Sequence, residues 1–454
     1  MAALQHDDRA FINQDISMKT NVLRTALMFL SATICLTLSH KQVRVSGHSG
    51  QSENRSQDSQ AENRAQMAQT QSRVLKLTPR KISLGRNRSF NLNVPEGFEI
   101  TIAASGLRRV RFMALSPDGR LFVTDMYNLA DNSRGIVYVL DDFDVKTGKF
   151  NKVTPFLTGL RNPNSIAFHT DKNRNSWFYL ALTDRLLRYR YTKGEETPQS
   201  APETLATFPD YGLSYKYGGW HLTRTISIGA NEKLYVSVGS SCNACEEKEE
   251  IRATIIEMNL DGSNQKFYAR GLRNAVGIKW VEGQLYATNM GADHLGDNSP
   301  EDALHQIREG VNYGWPYCFE QRSSIQADPL FAKSKQKIDC STVPLSMAVT
   351  GAHSSPLGFE HFDKSTTDPL LKNFFLVALH GSSKKNLNRG YRIVRLSKDS
   401  RARDFITGFM QRGRIYGRPA DLMRFGRDSF LLTDDHAGVI YYVYKKPEKK
   451  EPTK

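Results

Sequence analysis

One histidine and a set of arginines and asparagines stand at matching points of a recurring pattern in this chain. His221 precedes the run RTISIGANEKLYVSVG, and Arg273-Asn274 precedes AVGIKWVEGQLYATN. Arg111, Asn164, Arg224, Ser355 and Arg418 hold the equivalent point in other runs. A neutral imidazole can accept a proton near pH 7. Several guanidinium groups brought to one place repel one another unless an anion sits among them, and their forked donors suit carboxylates. The same arginines could instead pair with Asp125, Asp421 or Asp434, or lie in water, and residue types alone leave both readings open.

The elements that must position these residues come in copies. Each copy has a polar residue, an apolar run, a turn and a second apolar run: Arg111-FMALSPDGRLFVTD, Asn164-SIAFHTDKNRNSWFYLAL, Arg224-TISIGANEKLYVSVG, Asn274-AVGIKWVEGQLYATN, Ser355-PLGFEHF with FFLVAL, and Arg418-PADLMRFGRDSFLLTD. Asp-Gly, Asn-Glu and Glu-Gly at the turns suit tight hairpins. Further strands such as GIVYVLD, RLLRYRYT, IIEMNL, YRIVRL and GVIYYVY follow within the copies. Six copies roughly 50 to 80 residues apart predict an all-β, six-bladed β-propeller of four-stranded antiparallel sheets. The early run FEITIAA (98–104) lacks a hairpin partner and is expected to close the ring beside GVIYYVY. Helical periodicity is nearly absent, with 300–308 offering a turn or two. In such a ring the innermost strands start at one end of a central channel, so the polar residues that lead them converge there.

The flanks read differently. Residues 1–40 carry the uncharged apolar stretch TALMFLSATICLTL (25–38) behind Lys19 and Arg24, of signal-peptide length and short for a membrane span. Export is expected, with the segment either cleaved or kept as a membrane tether, and Met18 is the more typical start. Residues 41–85 read as a disordered linker, 86–446 as the propeller and 447–454 as a charged disordered tail. Cys242, Cys245, Cys318 and Cys340 fall in the exported part, and the even number suits disulfides. Cys318 and Cys340 are expected to be joined, and closing so long an excursion contributes about 3 kcal/mol in the chain-entropy account. The 317–345 insertion that they bound could form a lid. For Cys242 and Cys245 a local disulfide or two buried thiols outweighs a metal or redox site. The formal charge of +15 favours acidic partners. With no zinc-finger, basic-zipper or RNA-platform pattern, nucleic acid is set aside, which leaves a membrane surface or a small anionic molecule.

Four motifs in order make the chemistry specific. HLTRTISIGANEKLYVSVG from His221, GLRN (271–274), NMGAD (289–293) and NYGWP (312–316) resemble the soluble quinoprotein sugar dehydrogenase family, and SSCNACEE (240–247) is similar to its sorbosone-dehydrogenase-like branch. The resemblance covers about 95–445. It implies pyrroloquinoline quinone (PQQ) and Ca²⁺ as cofactors, a small sugar or aldehyde as substrate, and an electron acceptor of unstated identity. It implies His221 as general base, Arg273 and Asn274 against the quinone and its developing charge, and Arg418 on a cofactor carboxylate. Gly291 and Ala292 match the pair whose carbonyls bind calcium. Arg111 and Arg224 are nominated for cofactor binding by the repeat, and His380, in ALHGSSKKNLNRGYR, as a lining residue. Trp220 stands where glucose-type members carry an acidic residue beside the base, and the family's cofactor lysine has no clean match. NYGWP reads as a structural lock, and Asp293, Asp297 and Asp302 as a solvated acidic loop. A propeller that only binds carbohydrate or protein and a calcium-dependent lactonase are the competing readings. The first needs no such constellation, and the second wants side-chain carboxylates round its metal.

Overall fold

A computed structural model describes residues 75–85, 88–210, 220–397 and 401–446. The apolar stretch 25–38 and the tail 447–454 lie outside the described residues. Six antiparallel sheets follow one another along the chain. The first contains Val110–Leu115, Leu121–Asp125, Gly135–Asp144 and Lys149–Leu160, and the second Ser165–Thr170, Ser176–Ala181, Arg185–Tyr191 and Glu203–Thr207. The third runs Arg224–Ile228, Lys233–Val238, Thr254–Asn259 and Lys266–Arg270, with Val311–Asn312 added in parallel. Blade four is Ile278–Val281, Gln284–Asn289, Ala303–Ile307 and the two-residue Ala348–Val349. Blade five is Pro356–Phe362, Phe374–Leu379, Arg392–Leu396 and Arg403–Ile406. Blade six takes Pro419–Arg424, Ser429–Asp434 and Val439–Lys445 from the end of the chain and Phe98–Ala104 from its beginning, so the ring closes as the unpartnered run FEITIAA required.

Burial explains the two kinds of strand pattern. Leu121–Asp125 and Ser429–Asp434 are buried at every position because a neighbouring blade covers each face, whereas the outer strand Lys149–Leu160 is exposed along most of its length. Between successive blades lie separate apolar clusters, for example Phe122, Val139 and Phe156 against Phe178, Leu180 and Leu187. The turns take up the left-handed backbone that glycine favours at Gly119 (φ 84°) and Gly283 (φ 80°), and Glu232 is held there too (φ 56°).

Two expectations need correction. Residues 300–308 hold the strand Ala303–Ile307, because Leu304 fills the core beside blade five and Ile307 the core beside blade three. The linker also ends earlier than residue 85. Leu77–Leu84 pairs with Arg88–Pro95, and Ile82, Phe90, Leu92 and Val94 pack into the cluster shared by blades five and six. Alternation with charged residues made that segment look too polar to fold, but a hairpin needs only one apolar face.

Cys318 and Cys340 are joined, with Cα atoms 5.7 Å apart, and Cys242 and Cys245 form a second, local disulfide.

Candidate functional site

The innermost strands start at one mouth, and a cavity of about 830 Å³ opens there. Its lining includes Arg111, His221, Arg273, Asn274, Gly291, Ser355, His380 and Arg418, drawn from positions up to 307 residues apart in the chain. Phe112, Val276, Leu357, Ala420 and Met290 form an apolar plug that floors it, and below them runs a narrower channel lined by the inner strands.

His221 sits at positive φ (48°) in the turn before its strand. Its Nδ1 lies 2.9 Å from both the carbonyl oxygen and the hydroxyl of Ser240. The Ser240 hydroxyl donates to the Cys242 carbonyl at 2.7 Å, so both Ser240 oxygens are acceptors towards the ring. Nδ1 therefore carries the hydrogen, and Nε2 of the neutral imidazole carries the lone pair. Burial, followed by the nearby Arg273 charge, holds the His221 pKa well below the ordinary histidine value of 6.5. Gly239 makes this approach feasible, because a Cβ there would lie 2.6 Å from His221 Cβ and 2.8 Å from Asn274 Oδ1. Trp220 meets the imidazole edge to face at 5.8 Å, so an indole occupies the place beside the base.

Arg273 is gripped by one residue: Nε donates to the Asn243 carbonyl at 2.8 Å and Nη2 to Asn243 Oδ1 at 2.9 Å. Desolvation lowers its pKa, opposed by Asp293, whose carboxylate lies 3.9 Å away. The Asn274 backbone N–H donates to Asn289 Oδ1, which fixes the lead-in of blade four against the end of its second strand.

On the opposite wall Asp435 is fully buried and collects three partners. Its carboxylate meets Arg111 at 2.9 Å, Arg109 at 3.3 Å and His380 Nε2 at 2.8 Å. Although burial opposes it, these neighbours hold the Asp435 carboxyl below the usual carboxylate range. Arg418 donates to the Gly381 carbonyl at 2.9 Å and to the Tyr391 hydroxyl at 2.9 Å. Asp125 and Asp434, named as alternative arginine partners, instead cap backbone N–H groups: Arg108, Arg109 and Tyr127 donate to Asp125, and Arg418, His436 and Ala437 to Asp434. Asp421 accepts from the Met113 N–H inside the lower channel.

Three nominated features sit elsewhere than expected. Arg224 does not line the cavity. Thr225 gives its hydroxyl hydrogen to the Val276 carbonyl, and Arg224 turns between blades two and three, where it lies 5.6 Å from the Phe208 ring and donates to the His221 and Thr223 carbonyls. It braces the turn that carries His221, and desolvation lowers its pKa to about 9. Ala292 is buried behind the rim, in a smaller cavity with Leu295, Pro300, His305 and Trp315, while Gly291 borders both cavities. The 317–345 insertion contributes nothing to the mouth lining and packs against that smaller cavity instead. NYGWP is a lock: the Tyr313 hydroxyl donates to the Gln306 carbonyl and accepts from the Arg308 backbone N–H, and the Trp315 backbone N–H donates to the Gly271 carbonyl.

Ser240, Asn243, Arg109, Asp293, Asp302 and Asp435 escaped the sequence reading. SSCNACEE was visible as a motif, but nothing in spacing says that its asparagine reaches an arginine 30 residues on. Asp302, in the loop read as solvated, is buried, accepts from the Gly291 and Ser355 N–H groups, and is pushed up to about 6 by desolvation.

Fold and site together define a six-bladed β-propeller with arginines on two walls of its mouth cavity and His221 among them. The chain belongs to the TrAA12-like family, whose family model matches residues 92–407. An uncharacterized protein of Borreliella burgdorferi is 27% identical over 369 residues, 78% of this chain and 90% of its own length. A carbohydrate-active enzyme of family AA12 from Trichoderma reesei, solved with iodide, superposes with a TM-score of 0.66 at 18% identity, covering 80% of this chain and 100% of that one. The holo form of the pyranose dehydrogenase PQQ domain from Coprinopsis cinerea gives a TM-score of 0.63 at 18% identity, with 78% and 97% covered. At these identities the structural likeness speaks for the fold.

Proposed function

We propose that this protein is an exported, PQQ-dependent oxidoreductase acting on a sugar or a sugar-derived alcohol or aldehyde. The observation that carries the reading is the pairing of a hydrogen-bonded, neutral His221 with arginines on two walls of one cavity. The cavity volume lies within the usual range for cofactor sites, roughly 300–1,000 Å³. Arg109, Arg111, Arg273 and Arg418 face it, and Arg109 Nη1 stands 3.3 Å from the Asp435 carboxylate without making a hydrogen bond to it. That donor set fits a small polycarboxylate. The pyranose dehydrogenase neighbour is itself a PQQ domain in holo form, and the Trichoderma enzyme has a calcium structure.

Arg418 and the Arg109–Arg111 pair would hold the cofactor carboxylates, and Arg273 with Asn274 the quinone edge. Among the described residues the one cluster of side-chain metal donors is Cys242, Cys245 and Glu247, whose cysteines are disulfide-bonded. A calcium ion at the mouth would rest on backbone oxygens at the Gly291 rim, the chemistry a hard cation accepts. When bound, the quinone with its calcium supplies the acceptor for the two electrons, taken as a hydride from the hydroxyl-bearing carbon. His221 Nε2 takes the hydroxyl proton, its orientation set by Ser240. Trp220 and Leu129, both exposed at the cavity, offer apolar surface to the rest of the substrate. The two disulfides support an oxidising compartment.

The test is reconstitution. Purified protein is mixed with PQQ and Ca²⁺, binding is followed by cofactor absorbance, and a panel of sugars is assayed by dye reduction. Saturable binding with sugar-dependent reduction is expected. Absence of cofactor binding would reject the reading, and binding of sugar without it would favour a binding propeller.

A further inference from the structure

The turn closed by the Cys242–Cys245 disulfide touches both halves of the proposed chemistry. Ser240, two residues before that turn, orients His221 through two contacts of 2.9 Å. The middle residue of the turn, Asn243, holds Arg273 through two donors, and Asn243 Oδ1 also accepts from the Asp293 N–H at 2.8 Å, at the start of the loop that follows the Gly291 rim. The turn is pinned from three sides. The disulfide closes it, the Ser240 hydroxyl donates to the Cys242 carbonyl, and Glu247 accepts from the Ser241 N–H at 2.7 Å and from its hydroxyl at 2.6 Å. A guanidinium with two of its donors on one residue has little freedom left, and Arg273 has only 4% of its side chain exposed.

We infer that Asn243 is a positioning residue, clamped by the Cys242–Cys245 disulfide, that sets where the Arg273 charge stands relative to His221 and to a bound anion. This rests on the reading of His221 as base and Arg273 as anion contact. The disulfide here is a local brace on two site residues, distinct from the Cys318–Cys340 bond that closes the long insertion. Positive charge from Arg273, Arg224 and Arg252 faces His221, with the Trp220 ring at its edge. Arg224 is bound to the His221 carbonyl and does not depend on Asn243. Releasing Arg273 therefore changes one contribution and leaves that brace in place.

The experiment titrates the His221 imidazole by NMR in protein without cofactor, so its outcome does not depend on PQQ binding. Wild type is compared with Asn243→Ala and with the double variant Cys242→Ser, Cys245→Ser, each checked for cooperative thermal melting. In both variants the His221 pKa is expected to rise by about one unit, as a cation moves away. Binding of PQQ is measured in parallel. Asn243→Ala is expected to weaken it by about tenfold or more in wild type and by less than about twofold when Arg273→Gln is already present, the coupling that action through Arg273 demands. An unmoved titration in folded Asn243→Ala protein overturns the assignment, as do additive losses in binding. A shift in Asn243→Ala without one in the folded double cysteine variant overturns the clamp. If wild type fails to bind PQQ while the titration shifts as expected, the proposed function falls and the positioning role stands.

Discussion

The imidazole of His221 and the backbone carbonyl of Ser240 face each other at 2.9 Å, and because a carbonyl can only accept, this contact assigns the proton to Nδ1. The other ring nitrogen is left as the base. His221→Ala should lower turnover by about 100-fold to 10,000-fold while PQQ still binds through the arginines. Steady-state assays beside a binding titration check this, and full turnover in the variant would move the search for a base to His380.

The pH profile follows from the same group. His221 acts only when neutral, and burial and Arg273 lower its pKa well below 6.5. Activity should therefore stay level from neutral pH down through the ordinary histidine range and fall only in more acid solution. A half-loss of kcat/KM at pH 6.5 or above, from a limb that His221→Ala abolishes, would contradict the assigned environment.

Gly239→Ala places a methyl group 2.6 Å from His221 Cβ and 2.8 Å from Asn274 Oδ1. The ring must shift by a few tenths of an ångström or more. A loss of about 100-fold in kcat with a near-normal melting temperature is expected, since misplacement by about 1 Å can cost that much. Unchanged kcat would show that the wall yields without moving the base.

Asp435 is the buried counter-charge of Arg109, Arg111 and His380. Asp435→Ala leaves guanidinium groups buried without it and should destabilise the protein by about 3–5 kcal/mol. Denaturant unfolding measures this directly. Adding PQQ should recover part of the loss, because an anion then returns to the arginines.

Asp421 lies in the lower channel, and burial raises its pKa from 3.8 to about 7. A carboxyl with a raised folded pKa contributes stability that is fully present below its unfolded value and is lost as pH rises through the folded one. Asp421→Asn keeps an oxygen for the Met113 N–H and cannot ionise. Its stability relative to wild type should climb between about pH 4 and 7 and level off above. A difference independent of pH would show that Asp421 ionises as readily folded as unfolded.

Most of the architecture was readable because blade construction is local. Alternation within hairpins, Asp-Gly and Glu-Gly turns and a repeated leading polar residue are short-range properties, and counting them predicts six sheets and a closing strand at FEITIAA. The leading positions also located Arg111, Asn274 and Arg418 at one mouth, since equivalent points of a ring converge whatever their separation in sequence. His221 and Arg273 came with them as immediate neighbours of those positions.

What only the tertiary structure decided is which way each leading residue turns and what meets it. Arg224 and Arg111 share a repeat position, yet one faces Phe208 between blades and the other faces the cavity, because a strand offers two opposite faces and neighbouring packing selects between them. Ala292 lines the smaller cavity, while Gly291 borders both. The Arg111–Asp435 pair joins residues 324 apart, and it exists because the last blade closes against the first. Types and spacing in the sequence determine a ring of cationic groups round His221. The closed ring determines that Asp435, Ser240 and Asn243 are the residues that hold them.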